Sequence, residues 1–273
     1  MELIEILKVV VLGIVEGITE WLPISSTGHM LLVDEFIHMN VSDSFKDMFF
    51  VVIQLGAILA VVMLFWDKMW PFQTKDKSKP VIRKDVFSMW FKVVVACIPG
   101  AIVTLLFDDY IEAHLHTPTV IALALVVYGV AFIVIENWNK KRTPKVLALE
   151  DISYKTAFII GLFQVLSIIP GTSRSGSTII GALTIGVSRV AAAEFTFFLA
   201  VPVMIGLSFI KILKFGFSFT SVELITLAIG CVVAFLVSVL VIKFLMSYIK
   251  KRDFKIFGWY RIALGVILLL YFM

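Results

Sequence analysis

The 273-residue chain is 60% hydrophobic and 16% charged, with a mean hydropathy of +1.01. A soluble chain carries about 25% charged residues, so this composition excludes an ordinary soluble domain and indicates an integral membrane protein. The net charge of +4 decides little and gives no sign of a nucleic-acid partner. Cys97 and Cys231 lie in apolar runs without metal-ligand spacing and read as packing residues.

The first segment, roughly residues 1–44, is apolar enough to enter a membrane but is broken by Pro, Gly, Ser and charge. Glu2, Glu5, Glu16 and Glu20 interrupt it, and no small-residue cleavage site follows a basic start, so it does not read as a cleavable signal peptide. Its polar part reads VEGITEWLPISSTGHM. Glu16 and Glu20 fall on one helical face, where like charges repel. Carboxylates at membrane depth are functional candidates by default, and a pair suits a divalent cation or one ionised and one protonated partner. The alternative, that both sit solvated and idle near the outer water boundary, is the weaker one because His29 and a hydroxyl cluster follow directly. Pro23 ends the helix; Ser25, Ser26 and Thr27 then offer three hydroxyls beside Gly28 and His29. Some of these hydroxyls would only cap the next helix, whereas a nucleophilic one needs a base, which Glu20 or His29 can supply.

Three full spans follow at roughly 49–66, 88–107 and 118–137. Gln54 lies inside the first, either lining a cavity or bonding across helices. The loop at 67–87 holds Lys68, Lys75, Lys77, Lys79, Arg83 and Lys84, the loop at 108–117 holds Asp108, Asp109 and Glu112, and that at 138–153 holds Lys140, Lys141, Arg142 and Lys145. His38, His114 and His116 fall in loops.

The second broken segment, roughly 154–190, contains PGTSRSGST from Pro170 to Thr178. Gly171, Thr172, Ser173, Ser175, Gly176 and Thr178 around one arginine opening a helix make an anion cradle, and Arg174 adds a planar fork that matches a phosphate. An alternative is an arginine satisfied by Glu16 or Glu20; that contact would also assemble a site. Glu194 beside Arg189 reads as a boundary ion pair.

Spans at roughly 194–212, 222–247 and 257–273 complete six. Only Lys214 follows the fourth, while Lys250, Lys251, Arg252 and Lys255 follow the fifth. The alternation of basic and non-basic loops places 67–87, 138–153 and 248–256 in the cytoplasm and both termini outside. The broken segments then cannot cross fully and read as two re-entrant helical hairpins lining a cavity. A shift of 148 residues carries Gly13 onto Gly161, Glu16 onto Gln164, Ser25 onto Ser173, Gly28 onto Gly176 and Phe49-Phe50-Val51 onto Phe197-Phe198-Leu199. Three spans separate the copies, so the second is inverted. The expected fold is a single all-α membrane domain over 1–273, with six transmembrane helices, two re-entrant hairpins and inverted-topology repeats at approximately 1–137 and 150–273.

EGITEWLPISSTGHM followed by PGTSRSGST resembles the paired signature of the bacterial undecaprenyl-diphosphate phosphatases, or bacitracin-resistance family, and the likeness extends over nearly the whole chain. The resemblance implies hydrolysis of a polyprenyl diphosphate lipid to undecaprenyl phosphate and inorganic phosphate, recycling the carrier for peptidoglycan synthesis. It implies a divalent cation, Mg²⁺ or Ca²⁺, at Glu16 and Glu20, and Ser26, Glu20, His29 and Arg174 as catalytic residues. Ser25, Thr27, Gln54 and the second-motif residues would contact substrate. A homodimer in the bacterial inner membrane, with its active site open to the outer face, is also implied. Inverted repeats with broken helices are equally the architecture of transporters, so a carrier or flippase of a lipid phosphate or anion is the alternative. The serine and histidine beside the carboxylates discriminate, since a carrier needs neither.

Overall fold

Inside a bilayer no water satisfies the backbone, so apolar runs must close their hydrogen bonds within helices. The computed structural model describes residues 2–73 and 80–272, and among them all regular structure is helical apart from two isolated bridges. Lys75, Lys77 and Lys79 of the first basic loop lie outside the described residues, as do the side chains of Asp108, Asp109 and Glu112. The elements are α1 (Leu3–Thr19), α2 (Ser26–Phe36), α3 (Asp43–Val52), α4 (Gln54–Leu64), α5 (Trp66–Met69), α6 (Lys84–Leu115), α7 (Pro118–Asn139), α8 (Tyr154–Val165), α9 (Arg174–Thr184), α10 (Arg189–Phe215), α11 (Ser221–Ile249) and α12 (Lys255–Phe272).

Among the described residues six helical stretches are long and apolar enough to cross a membrane: Asp43–Leu64, Lys84–Phe107, Pro118–Asn139, Arg189–Phe215, Ser221–Ile249 and Lys255–Phe272. Each contains most of one expected span. The first is interrupted at Ile53, between α3 and α4. α6 continues to Leu115, so most of the expected 108–117 loop is helical. Acidic residues there end the apolar run but bring no glycine or proline to break the helix.

The two broken segments are built differently. At 1.5 Å per residue the 11 or 12 residues of α2, α8 and α9 reach only about 17 Å, and the 17 residues of α1 about 25 Å, short of a 30 Å hydrocarbon core. A turn at Glu20–Ser25 containing Pro23 separates α1 from α2, and a 3₁₀ turn followed by Pro170 and Gly171 separates α8 from α9. α1 lies along α11, α8 along α6, and α7 along α12. Small residues let these backbones approach closely: Gly161 faces the carbonyl of Ala96, and Gly129 faces that of Gly258.

α9 packs against α7, α8 and α10, and its residues Ser175–Leu183 are all buried. Trp21, just before the first turn, is fully buried and meets Phe197 of α10 edge-on at 5.3 Å. Leu105, Leu240 and Leu270, by contrast, present bare apolar surface on the outside of the bundle, as lipid contact requires.

Two ion pairs tie the helix ends. The fully buried carboxylate of Glu136 accepts from Arg189 Nε at 2.9 Å, from Arg189 Nη2, and from the backbone amide of Phe254 at 3.0 Å, joining α7, α10 and the start of α12. Glu194 pairs with Lys68 at 2.8 Å and not with its sequence neighbour Arg189. Residues five apart on a helix point away from each other, and the loop lysine reaches in instead. Glu136→Ala should therefore lower stability by about 2 kcal/mol, because a buried amide and a half-buried guanidinium lose their acceptor. A lower melting temperature in detergent than that of Glu150→Ala, an exposed control, would check it.

Candidate active site

Two serines carry the local architecture. Among the described residues Ser25 and Ser173 are the only non-glycine residues with positive φ, at 73° and 70°. Side chains other than glycine's avoid that region, at a cost of about 1–3 kcal/mol each. Each serine is also an N-cap: Ser25 Oγ accepts from the amide of Gly28 at 3.3 Å, opening α2, and Ser173 Oγ accepts from that of Gly176 at 3.2 Å, opening α9. The sharp turns aim the next residues, Ser26 and Arg174, toward the end of α1.

There they meet one carboxylate. Ser26 Oγ donates to Glu20 Oε2 at 2.8 Å, and Arg174 Nη2 donates to Glu20 Oε1 at 3.1 Å. The other guanidinium nitrogen, Nη1, donates to the carbonyl of Thr196 on α10 at 3.0 Å, leaving Nε without a partner. Ser175 Oγ donates to the Glu20 carbonyl at 3.3 Å, so α9 grips the end of α1 by side chain and main chain together. Glu16, one turn earlier, adjoins Glu20 and is fully buried, and among the described residues no N–H group donates to its oxygens.

The remaining sequence candidates divide. Thr172 Oγ1 donates to the carbonyls of Leu166 and Ile169, and Thr178 Oγ1 bonds the carbonyl of Arg174 and the hydroxyl of Thr196. Both hydroxyls shape the loop and face inward. Of the expected amide cradle from Thr172 to Gly176, the Thr172 amide is bound to the Ile169 carbonyl and that of Gly176 to Ser173 Oγ. The amides of 173–175, at the open start of α9, remain to face an anion. Thr27 is exposed at the first turn of α2. Gln54 opens α4 and makes no hydrogen bond to either motif turn among the described residues. His29 is held at both nitrogens: a carbonyl only accepts, so Nδ1 carries the proton donated to Ser25 O at 2.7 Å, and Nε2 accepts from the Tyr260 hydroxyl at 2.7 Å.

Tyr260 and its neighbour Arg261 went unnoticed in the sequence. The signal was present, because an arginine lies inside the last expected span, and charge at membrane depth is a functional candidate by default. Among the described residues no three His, Cys, Asp or Glu side chains gather as a metal site. Glu16 and Glu20 nevertheless fit a divalent cation, since the two oxygens of Glu16 lack an N–H donor among the described residues and a phosphate would complete the oxygen shell.

Paired buried carboxylates, a serine hydroxyl donated to one of them and an arginine at a helix start make a polar cluster between broken helices in a polytopic helical membrane protein. The family model described as Bacitracin resistance protein BacA matches residues 9–267, and the chain belongs to that family. It is 74% identical over 270 residues to an undecaprenyl-diphosphatase of Enterococcus faecalis, covering 99% of this chain and 98% of that one. Undecaprenyl-diphosphatases of Lachnoclostridium phytofermentans and Desulfitobacterium hafniense are each 62% identical over 273 residues, covering 100% of this chain and 99% and 98% of theirs.

Gly171 has φ +92°, and an added Cβ would lie 2.4 Å from the carbonyl oxygen of Ile121. Gly171→Ala should cost at least about 2 kcal/mol from backbone strain and the clash combined. Thermal unfolding would reveal it, with Gly206→Ala, whose new methyl meets nothing within 4 Å, staying near wild type.

Proposed function

We propose that this chain hydrolyses the terminal phosphate of undecaprenyl diphosphate, giving undecaprenyl phosphate and inorganic phosphate, and so returns the lipid carrier to cell-wall synthesis. The hydrogen bond of 2.8 Å between Ser26 Oγ and a Glu20 carboxylate that also pairs with Arg174 carries this reading. A hydroxyl already donating to a carboxylate has its base in place, and the guanidinium beside it supplies the positive charge that phosphoryl transfer needs. Family membership and the relatives' names support the same activity.

In the reading advanced here, Ser26 Oγ attacks the terminal phosphorus while its proton passes to Glu20. The bond from that phosphorus to the bridging oxygen breaks, and undecaprenyl phosphate leaves. Water then cleaves the phosphoserine, releasing phosphate and restoring the hydroxyl. Arg174 and the amides of 173–175 hold the phosphoryl oxygens. His29, bound at both nitrogens, is not free to be the base. A Mg²⁺ or Ca²⁺ ion held by Glu16 and Glu20 would neutralise the diphosphate and polarise its oxygens.

The broken segments act as re-entrant hairpins of two inverted repeats. Support comes from the shared serine geometry at the 148-residue offset and from matching packing, with α1 on α11 and α8 on α6. Basic loops at 67–87, 138–153 and 248–256 support an orientation with both termini outside and the site open to the outer leaflet, the prenyl tail remaining in lipid.

Phosphate release from undecaprenyl diphosphate by detergent-purified protein tests the activity; no release from folded protein in any divalent cation would overturn it. Release should stop with EDTA and return with Mg²⁺ or Ca²⁺. Arg174→Lys should lose about a hundredfold or more in kcat, since a point charge cannot span Glu20, the Thr196 carbonyl and a phosphate. Ser26→Ala should lose as much; near-normal turnover would instead support direct attack by water.

A further inference from the structure

The last membrane span carries a guanidinium that no step of the reaction above uses. Arg261 of α12 is fully buried, and its two terminal nitrogens reach opposite motifs. Nη1 donates to the carbonyl of Pro23 at 3.1 Å, in the turn that leads to Ser25 and Ser26. Nη2 donates to the carbonyls of Gly171 at 2.9 Å and Thr172 at 2.8 Å, in the turn that leads to Ser173 and Arg174. Among the described residues no carboxylate pairs with it and its Nε has no partner; the ring of Tyr128 lies 5.7 Å beneath its charged carbon. Its neighbour Tyr260 stacks on His29 with the rings 2° from parallel and donates to its Nε2, while Nδ1 of His29 holds the Ser25 carbonyl.

We propose that Tyr260 and Arg261 form a positioning clamp: one dipeptide of α12 sets the distance and angle between the serine-bearing and arginine-bearing turns. The inference rests on the phosphatase reading and adds residues to it that belong to neither motif. Arginine is required because its planar fork presents two nitrogens in fixed directions, so carbonyls on two separate turns are locked to one rigid group. Four of the five bonds end on main-chain carbonyls, of Pro23, Ser25, Gly171 and Thr172, and only that of Ser25 has a second donor among the described residues, the His29 amide at 3.4 Å. Both serines held at positive φ lie next to or within these anchored stretches. The clamp therefore also fixes the strained geometry that aims Ser26 and Arg174 at Glu20.

The same arrangement explains a motif glycine. A methyl at Gly176 would sit 3.0 Å from Arg261 Nη1 and 3.3 Å from Ser173 Cβ. Gly176 leaves room for the guanidinium to lie against the start of α9. Gly176→Ala should press the guanidinium off its carbonyls and reproduce the defect of an Arg261 variant without removing any donor.

The test compares kcat and KM for phosphate release from undecaprenyl diphosphate by full-length wild type, Arg261→Lys, Gly176→Ala, Tyr260→Phe, His29→Ala and the double variant Tyr260→Phe/His29→Ala. Rates are referred to the monodisperse, folded fraction, with melting temperatures measured in parallel. A clamp predicts that Arg261→Lys and Gly176→Ala lower kcat at least about tenfold with KM within about threefold, since misplacing reacting groups slows chemistry more than binding. Tyr260→Phe keeps the stacked ring and removes only the hydroxyl, so it tests the second arm even where an Arg261 variant fails to fold. Its kcat should fall, and adding His29→Ala should change little further, because both cut one connection. Wild-type kcat per folded molecule in Arg261→Lys and Tyr260→Phe would overturn the clamp. So would a His29→Ala loss that multiplies fully with that of Tyr260→Phe. A wild type that releases no phosphate would sink the phosphatase reading itself, which separates the two failures.

Discussion

Breaking a helix inside a bilayer frees carbonyls and amides where no water can take them, and the rest of this structure is organised around satisfying those groups. Two helix breaks lie against each other here, one after α1 and one before α9. Their carbonyls end on a single buried arginine from a third element, and their serine side chains cap the helices that resume. With the turns fixed in this way, Ser26 and Arg174 have little choice but to converge on Glu20.

The convergence makes electrostatic sense. Two carboxylates, Glu16 and Glu20, share a dry environment with Arg174, and only Glu20 is neutralised by it. Glu16 adjoins Glu20 without an N–H donor of its own among the described residues, and its oxygens would be free to engage a divalent cation brought in with a diphosphate. The terminal nitrogens of Arg261, by contrast, donate only to main-chain carbonyls, whereas Arg174 pairs with the Glu20 carboxylate.

Much of this was legible before any coordinates. Six apolar runs separated by loops alternating in lysine and arginine define the spans, because length and hydropathy are local properties of the chain. Glu16, Glu20, Ser26 and Arg174 stood out because polar residues in an apolar context need a reason to be there. Geometry adds what residue type does not give: the Thr172 and Thr178 hydroxyls bond main-chain carbonyls, His29 is bonded at both nitrogens, and Glu194 pairs with Lys68 instead of Arg189. A side chain's type tells what it can bond, but only its surroundings tell what it does bond.

Composition and spacing by themselves determined that this is a helical membrane protein with two polar breaks, which residues could bear charge chemistry, and which known signature they resemble. Only the tertiary structure decided that Ser26 and Arg174 meet on one carboxylate 6 and 154 residues away in the chain, and that Tyr260 and Arg261 hold both turns in place. The reason is that spans follow from local hydropathy, whereas a contact between distant turns depends on how whole helices pack. Glycines and prolines mark where a membrane helix can break, but not what will be waiting at the break.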